Sequence, residues 1–324
     1  MTSSAIRLTG VTKRFGKHTA VDAFDFEVPE GSIYGLLGPN GSGKTTTIRM
    51  IMGILLPDEG RVELFGSDPG ETRRRRVGYL PEERGLYRKM KALDVLVFLG
   101  EIRGLKPSDA RGRALSWLDR LGLSEWATTA VQDLSKGMQQ KIQFVATVLH
   151  EPGLLILDEP FSGLDPINQD LLEEIVRDLH SKGTTILFST HLMDQAERLC
   201  ERVCLISQAR KVLDGDLREI KRRERRGVVA VGFEGDDGWL RSPEILSQEA
   251  VGDALHLLLA EGTDPQIILR RCLEAGVEVH RFERVEPRLH EIFVRHAGTE
   301  AATGGGGLPR GRVATASAPG RGGF

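Results

Sequence analysis

The stretch Gly38-Pro39-Asn40-Gly41-Ser42-Gly43-Lys44-Thr45 decides how the rest of the sequence is interpreted. It fits the phosphate-loop pattern G-x-x-x-x-G-K-[ST] at every fixed position. The pattern needs glycine because backbone N–H groups must converge on phosphate oxygens, and only glycine allows that close approach. A short apolar run at 33–37 precedes the stretch, and a segment with helical spacing at 45–55 follows it. This strand–loop–helix context predicts a phosphate-binding site.

The residues of this loop have distinct expected roles. The Lys44 ammonium would reach the β- and γ-phosphates of a nucleotide, and the Thr45 hydroxyl would ligate Mg²⁺. The helix that follows points its positive N-terminal end at the anion. Thr46, the next residue of that helix, is assigned to the same binding site.

A second set of candidate residues stands at the ends of two other apolar strands. In open parallel sheets, ligands lie beyond the carboxyl ends of the strands. Asp158 would hold Mg²⁺ directly or through water, and Glu159 would polarise an attacking water. His191 closes the run 184–191 and would face the γ-phosphate. The alternatives are that both carboxylates merely end their strand and that the histidine is structural.

Patterning along the chain predicts an α/β fold with a helical insertion. Segments 6–12 and 21–28 alternate with period two, which is typical of half-buried antiparallel strands. From about 92 to 150, apolar residues recur at spacings of three and four, which indicates helices. Apolar strands return at 154–160 and 184–191, and the amphipathic helix between them would serve as the crossover of a βαβ unit.

Composition and patterning divide the chain into four expected parts. Residues 1–220 form a nucleotide-binding domain with a helical subdomain at about 86–150, and a charged hinge follows at 221–227. The pattern of 228–297 predicts a small accessory α+β domain. The glycine-rich tail 298–324 has almost no large apolar residues, so it cannot offset the entropy of folding and is predicted to be disordered.

Charge and hydropathy exclude several classes of partner and location. The 44 Lys and Arg residues nearly balance the 46 Asp and Glu residues, for a net charge of −2. No nucleic-acid partner is therefore expected. The N-terminus lacks the apolar region of a signal peptide, and no run approaches the roughly 18 apolar residues that a spanning helix needs. These features predict a soluble, cytoplasmic chain.

The three cysteines, Cys200, Cys204 and Cys272, are too few for a disulfide framework. The spacing of Cys200 and Cys204 would allow them to clip a metal, but no matching pair exists elsewhere in the sequence. Packing in the core is the favoured interpretation.

Residues 134–141, Leu-Ser-Lys-Gly-Met-Gln-Gln-Lys, resemble the signature motif of ABC ATPases. Segment 162–165 resembles the D-loop of that family, His191 matches its H-loop, and Phe15 stands where an aromatic residue stacks on adenine. The resemblance covers about residues 5–220. It implies a phosphate-loop, RecA-like core with an antiparallel β edge and a helical subdomain, and it implies ATP and Mg²⁺ as cofactors.

The same resemblance implies a mechanism and partners. Two copies would sandwich two ATP molecules head to tail, and each site would add Ser135, Gly137 and Asp165 to the phosphate loop and its carboxylates. Water would attack the γ-phosphate in line, with Glu159 as a catalytic residue beside Lys44 and His191. A separate permease would hold the protein at the inner face of the cell membrane.

Finer motifs point to a subgroup and also depart from the general pattern. Segments 78–90 and 286–296 are similar to ATPase subunits of drug, antibiotic and sodium-ion exporters, the daunorubicin-resistance type. Glu82 replaces the usual Q-loop glutamine; its carboxylate could still meet the nucleotide's Mg²⁺ but cannot donate a hydrogen bond. Lys136 replaces a signature glycine, and either adds positive charge near the γ-phosphate or is simply solvated.

Three functions therefore remain open from the sequence. The leading one is an ATP-hydrolysing subunit that drives an exporter. The second is a non-transport ABC ATPase that acts on ribosomes or chromosomes. The third is a regulatory subunit that uses ATP only as a switch.

Overall fold

A computed structural model of the chain describes residues 3–67, 70, 76–83, 85–225 and 227–303. The strands in this part are β1 (Ser4–Phe15), β2 (His18–Pro29), β3 (Ile33–Leu37), β4 (Glu59–Leu64), β5 (Val77–Leu80), β6 (Leu154–Asp158), β7 (Thr185–Thr190), β8 (Arg202–Ser207), β9 (Arg210–Asp216), β10 (Val228–Glu234), β11 (Ile245–Val251), β12 (Ala254–Leu259) and β13 (Glu278–Arg284). The helices are α1 (Lys44–Ile51), α2 (Ala92–Ile102), α3 (Pro107–Arg120), α4 (Lys136–Val148), α5 (Pro166–Ser181), α6 (Met193–Leu199), α7 (Leu217–Arg223), α8 (Gln266–Glu274) and α9 (Leu289–Thr303). None of these described helices is long and apolar enough to span a membrane.

A six-stranded sheet forms the centre of the nucleotide-binding part. Its strand order is β5-β6-β7-β3-β8-β9, and every pairing is parallel except that between β8 and β9. All residues of β3, β6 and β7 are buried, as expected for parallel strands covered on both faces. Helix α5 connects the parallel neighbours β6 and β7, which confirms the predicted βαβ crossover.

An antiparallel sheet lies at the N-terminal edge, in the order β2-β1-β4. The apolar alternation of β1 and β2 corresponds to alternating burial along both strands, and it confirms the predicted antiparallel pair. The inner face of this sheet packs in one hydrophobic cluster with α1 and parts of the central sheet. This cluster fixes the position of the phosphate loop, because α1 begins at Lys44.

The predicted helical insertion is present as α2, α3 and α4. Its apolar residues share one hydrophobic cluster with the central sheet, among them Leu96, Leu118 and Phe144. Helix α4 also buries three polar side chains, Gln140, Gln143 and Thr147. The two glutamines have partners in the loops that form the functional site.

The C-terminal part contains a four-stranded antiparallel sheet in the order β11-β12-β10-β13. Helix α8 packs on one face of this sheet, where Ile268 and Cys272 meet Val229 and Leu257. The sequence predicts these elements except β11. That strand is an exposed edge strand in which the apolar residues stand at its two ends with Ser, Gln and Glu between them, so it lacks the apolar alternation that marks the others.

The last helix, α9, is predicted as part of the accessory domain, and it packs on the nucleotide-binding core. Leu289 and Ile292 are fully buried in the cluster of the nucleotide-binding core, together with residues of α6 and α7. The physical reason is that α8 already covers the apolar face of the four-stranded sheet, so the apolar stripe of α9 is buried on the core instead.

The first residues of the tail predicted at 298–324 continue this helix. Helix α9 runs to Thr303, since the segment 300–303 includes two alanines, the residue with the highest helix propensity. The remainder of the tail predicted to be disordered, 304–324, lies outside the described residues.

The charged hinge predicted at 221–227 begins later than expected. Residues 221–223 form the last turn of α7, whose first turn is capped by Asp216 accepting a hydrogen bond from the Glu219 N–H at 3.0 Å. Basic side chains suit this position because a helix C-terminus carries partial negative charge.

The packing of α9 can be tested with the substitution Ile292→Ala. Removing a fully buried isoleucine side chain leaves a cavity and costs about 2–5 kcal/mol, so the free energy of unfolding measured in urea should fall by that amount. Val294→Ala is the matched control because Val294 lies on the same helix and is 54% exposed. Equal effects of the two substitutions would contradict the docked position of α9.

Candidate functional site

Four predicted functional segments meet at one edge of the central sheet because of its strand order. Strands β5, β6, β7 and β3 are consecutive and parallel, so the residues that follow them leave the sheet at the same edge. Along this edge lie Glu82, the pair Asp158 and Glu159, His191, and the phosphate loop 38–45. The structure thus brings together the residues that sequence analysis assigned to nucleotide phosphates, metal and water.

The phosphate loop is held tightly by the surrounding backbone. Gly43 has φ +111°, and a Cβ at this position would lie 2.4 Å from the Ala20 carbonyl oxygen. A Cβ at Gly38 would lie 2.2 Å from the carbonyl oxygen of Ile206. Glycine is therefore required by the packing of β2 and β8 against the loop, in addition to the approach of phosphate that sequence analysis considered.

Lys44 is the buried cation of this site, with only 6% of its surface exposed. Its Nζ donates hydrogen bonds to the carbonyl oxygens of Gly38 at 2.8 Å and Pro39 at 3.1 Å. Burial lowers the pKa of Lys44, while the nearby carboxylates of Glu159, Asp158 and Glu82 act in the opposite direction. The ammonium is thus hydrogen-bonded to the loop and lies in the electrostatic field of the strand-end carboxylates.

Asp158 is the buried carboxylate beside it, with 1% of its surface exposed. Among the described residues, neither of its oxygens completes a hydrogen bond, and the same holds for the hydroxyls of Ser42 and Ser189. Burial raises the pKa of Asp158, although the nearby Ser189 and Thr45 hydroxyls oppose the shift. Buried polar groups without partners are costly, so this cluster of oxygens is suited to a cation.

The donor set around Asp158 also limits what kind of ion fits. Within the described part of the chain, no group of three or more His, Cys, Asp or Glu residues could hold a metal by itself. The Asp158 carboxylate and the Thr45 hydroxyl are hard oxygen ligands, which Mg²⁺ prefers, and Mg²⁺ commonly combines one or two protein ligands with substrate phosphates and water.

Glu159 and His191 form a hydrogen-bonded pair. Oε1 of Glu159 accepts from the backbone N–H of His191 at 2.9 Å and lies 2.8 Å from His191 Nδ1. Oε2 of Glu159 accepts from the Thr190 hydroxyl at 3.1 Å. Glu159 itself adopts φ +50°, an unusual backbone conformation for a residue with a side chain. The carboxylate is therefore fixed by the strand end of β7.

The loop with Glu82 is tied to helix α4. Glu82 is exposed, and its neighbour Glu83 accepts a hydrogen bond through its carbonyl oxygen from Gln143 Nε2 at 3.1 Å. Gln140 Nε2 donates to the Pro160 carbonyl oxygen at 3.1 Å, next to Glu159. Neither glutamine is assigned a role from the sequence, although Gln140 lies in the signature segment and polar residues on the buried face of an amphipathic helix are a usable signal.

The remaining predicted residues make their contacts in their own loops. The Ser135 hydroxyl caps α4 by accepting from the Met138 N–H at 3.2 Å, and Gly137 follows in the first turn. Asp165 caps α5 by accepting from the Asn168 N–H at 3.0 Å, and this bond lowers the pKa of Asp165. The aromatic side chain of Phe15 is 48% exposed at the tip of the β1–β2 hairpin.

The three cysteines are free and buried, which confirms their predicted place in the core. Burial raises the pKa of all three thiols, so they are unreactive as thiolates. The alternative of a metal clip at Cys200 and Cys204 has no further ligands among the described residues.

Comparison with known proteins gives two family matches. A family described as ABC transporter matches residues 21–162, which include the phosphate loop, the signature segment and both strand-end carboxylates. A second, described as "ATP-binding protein DrrA1-3-like, C-terminal domain", matches residues 215–297.

Several curated proteins are similar over almost the whole chain. The uncharacterized ABC transporter ATP-binding protein YhaQ of Bacillus subtilis is 44% identical, over 89% of this chain and 97% of its own length. The Nod factor export ATP-binding protein I of Ralstonia nicotianae is 35% identical, over 91% of this chain and 94% of its own length. The daunorubicin/doxorubicin resistance ATP-binding protein DrrA of Streptomyces peucetius is 32% identical, over 92% of this chain and 93% of its own length.

Solved structures confirm the predicted fold class. The ATP-binding subunit of an ABC transporter superposes with a TM-score of 0.63 at 31% identity, covering 68% of this chain and 92% of the other. A dimeric ATP-binding cassette in a post-hydrolysis state, bound to ADP and Pi, has a TM-score of 0.61 at 23% identity, covering 65% and 98%. The second likeness concerns the fold.

The tight packing of the phosphate loop is tested by Gly43→Ala. The positive φ costs about 1–3 kcal/mol, and the clash with the Ala20 carbonyl displaces the loop, so nucleotide affinity should fall at least about tenfold. Gly104→Ala is the control because Gly104 also has positive φ, at +93°, but has open space around an added Cβ. Titration with a fluorescent nucleotide analogue measures both; unchanged affinity in Gly43→Ala would contradict the packing argument.

Proposed function

Because this chain belongs to the ABC transporter ATP-binding family, whose members are ATPases, we propose that it is the ATP-hydrolysing subunit of an exporter with a separate membrane permease. The main support for the proposal is that Lys44, Asp158, Glu159 and His191 meet at one edge of the central sheet. Similarity to proteins named for Nod factor export and for daunorubicin/doxorubicin resistance supports the direction of transport. The transported substrate would be an organic molecule of the drug, antibiotic or lipid-like class, or an ion.

Binding of ATP would use the phosphate loop and Phe15. Backbone N–H groups of 38–43 and the N-terminus of α1 would surround the β- and γ-phosphates, and Thr46 would add to this helix start. The Lys44 ammonium would exchange its carbonyl partners for phosphate oxygens. The exposed ring of Phe15 would stack on adenine.

The fit of Asp158 and Thr45 to a hard cation supports Mg²⁺ as the second cofactor. Asp158, which has no hydrogen-bond partner among the described residues, would hold the ion together with the Thr45 hydroxyl, and Glu82 would approach it from the neighbouring loop. When bound, Mg²⁺ neutralises charge between the β- and γ-phosphates.

Hydrolysis would be assigned to the Glu159–His191 pair. Oε2 of Glu159 accepts one hydrogen bond, from Thr190, and keeps a free lone pair that can orient a water for in-line attack. Because Nδ1 of His191 faces Glu159, its Nε2 is available for the γ-phosphate. The water oxygen bonds to phosphorus, the bond to the ADP oxygen breaks, and the water proton passes to Glu159 or a phosphate oxygen.

A second copy of the chain would complete each site. Ser135 and Asp165 are exposed at the N-termini of α4 and α5, whose partial positive charge is suited to phosphate. Ile167, next to the Asp165 loop, is an apolar residue with 81% of its surface exposed. Burial of this residue in a head-to-tail homodimer would place Ser135 and Gly137 over the partner's phosphate loop.

An exposed apolar patch supports a permease partner. The rings of Tyr87 and Phe98 pack edge to face, with 5.4 Å between their centroids. Ile102, one turn after Phe98 on the same helix, has 59% of its surface exposed. A cavity of about 240 Å³ beside them is lined by Leu86, Arg88, Val131 and Gln139. A short helix of the permease would bury this patch, and it would hold the protein at the inner face of the membrane.

The substitution Glu159→Gln tests the hydrolytic role. Loss of the carboxylate should lower kcat for ATP about 10²–10⁴-fold, while ATP still binds and the dimer persists. Phosphate release measures turnover, and gel filtration with ATP measures the dimer. Glu174→Gln, an equal change at an exposed site on α5, should retain full turnover.

Two outcomes of this experiment would count against the proposal. Full turnover of Glu159→Gln would remove Glu159 from the reaction. Absence of turnover in the unsubstituted protein, with and without a co-expressed permease, would favour the ATP-switched regulatory function instead.

The head-to-tail dimer is tested by a cross-link between Asn40→Cys and Ser135→Cys in one chain that also carries Glu159→Gln. Both positions are exposed, and the three native cysteines are buried, so they contribute no background. Oxidation with ATP should give a disulfide-linked dimer on a non-reducing gel. Either cysteine alone should not cross-link; cross-linking that is independent of ATP would contradict the arrangement.

A further inference from the structure

The C-terminal helix α9 docks against α6, the helix that begins two residues after His191. Leu289 and Ile292 of α9 are fully buried in one hydrophobic cluster with Met193 and Leu199 of α6. Helix α6 is therefore enclosed by the core on one side and by α9 on the other. Any movement of α9 changes the surface against which α6 packs.

Glu197 of α6 makes the polar part of this contact. Its Oε1 accepts a hydrogen bond from the backbone N–H of Leu289, the first residue of α9. The first N–H groups of a helix have no partner within the helix, and an anionic group at this end is favoured by the helix dipole. The same oxygen lies 3.1 Å from Lys221 Nζ of α7, and the Glu197 side chain is only 19% exposed.

The middle of α9 is attached separately. Glu224, which follows α7, accepts from Arg295 Nη1 at 3.1 Å and pairs with His296 Nε2 at 2.8 Å. Helix α9 is thus held at its start by Glu197 and near residue 296 by Glu224. These two attachments fix the orientation of α9 across α6 and how closely α9 packs against it.

On its other side, α6 is connected to the reacting groups. The Leu192 N–H donates to the Thr190 hydroxyl at 3.1 Å, and that hydroxyl donates to Glu159 Oε2. Arg198, adjacent to Glu197, donates to Glu173 Oε1 of α5 at 2.8 and 3.2 Å. Glu197 therefore lies where α9 meets α6, the helix that follows His191 and contacts the middle of α5 through Arg198 and Glu173.

We propose that Glu197 is a positioning residue, through which the docked α9 holds α6, and with it His191, in register with Glu159. This inference rests on the proposed function, because it assigns His191 and Glu159 to hydrolysis. Its consequence is that the accessory C-terminal domain sets the rate of ATP hydrolysis by where it places α9. Glu197 touches no reacting atom and acts only through α6.

The test compares Glu197→Ala with Glu197→Gln in the full-length protein. Alanine removes the carboxylate and with it the contacts to the Leu289 N–H and to Lys221. The side-chain carbonyl oxygen of glutamine can still accept the hydrogen bond from the Leu289 N–H. We expect Glu197→Ala to lower kcat for ATP by about tenfold or more, since small misplacements of catalytic groups cost up to about a hundredfold. KM for ATP should stay unchanged, and Glu197→Gln should restore most of kcat. Glu219→Ala, on the exposed face of α7, is the control with the same loss of charge.

A second measurement separates positioning from general destabilisation. His191→Ala should lower kcat by itself, and adding Glu197→Ala to it should cause no further loss, because both act through one group. Additive losses, or a loss in Glu197→Ala that Glu197→Gln does not restore, would overturn the positioning role and leave the proposed function standing. Full turnover in His191→Ala alone would instead overturn the role of His191 in the proposed function.

Discussion

The buried ammonium of Lys44 is the interaction on which the arrangement of the site depends. A charge in the interior is tolerated only where it is paired and hydrogen-bonded. Here the backbone carbonyls of Gly38 and Pro39 surround the charge, and carboxylates at the ends of neighbouring strands balance it. This requires a loop without side chains at its tightest points and parallel strands that end together. The same two requirements define a place where phosphate can replace the carbonyl partners.

Helix α4 connects this site to the rest of the molecule. Its N-terminus presents Ser135 to solvent, while Gln140 and Gln143 bind the backbone that follows β6 and β5. The two glutamines are three residues apart and therefore share one face of the helix. The helical insertion is thus hydrogen-bonded to the loops that follow β6 and β5 at the edge of the sheet where the strand-end carboxylates lie. Helix α6 is connected in a similar way to the end of β7, through the hydrogen bond from the Leu192 N–H to the Thr190 hydroxyl.

Local pattern was enough to predict the parts of the structure that are built from contiguous residues. The phosphate loop, the buried strands 154–158 and 185–190 and the helical insertion each carry their signal within a short window. The rule that parallel strands place ligands at their carboxyl ends then brought Asp158, Glu159 and His191 together.

What the sequence did not reveal depends on contacts between distant segments. Strands β4 and β11 have little apolar alternation, and β4 is identified only by its pairing with β1. The docking of α9 on the core depends on which apolar face is still uncovered after α8 has packed. The hydrogen bonds of Glu159 with Thr190 and His191 depend on side-chain conformation, which no spacing encodes.

The backbone of Glu159 has a consequence for which residues this position accepts. A φ of +50° in a residue with a Cβ costs on the order of 1 kcal/mol relative to glycine. Glycine would remove this strain, but it would also remove the carboxylate that accepts from the buried Thr190 hydroxyl and from the His191 N–H. The turn after β6 and the end of β7 are therefore interdependent, because the hydrogen bonds between them offset the strain of the left-handed backbone.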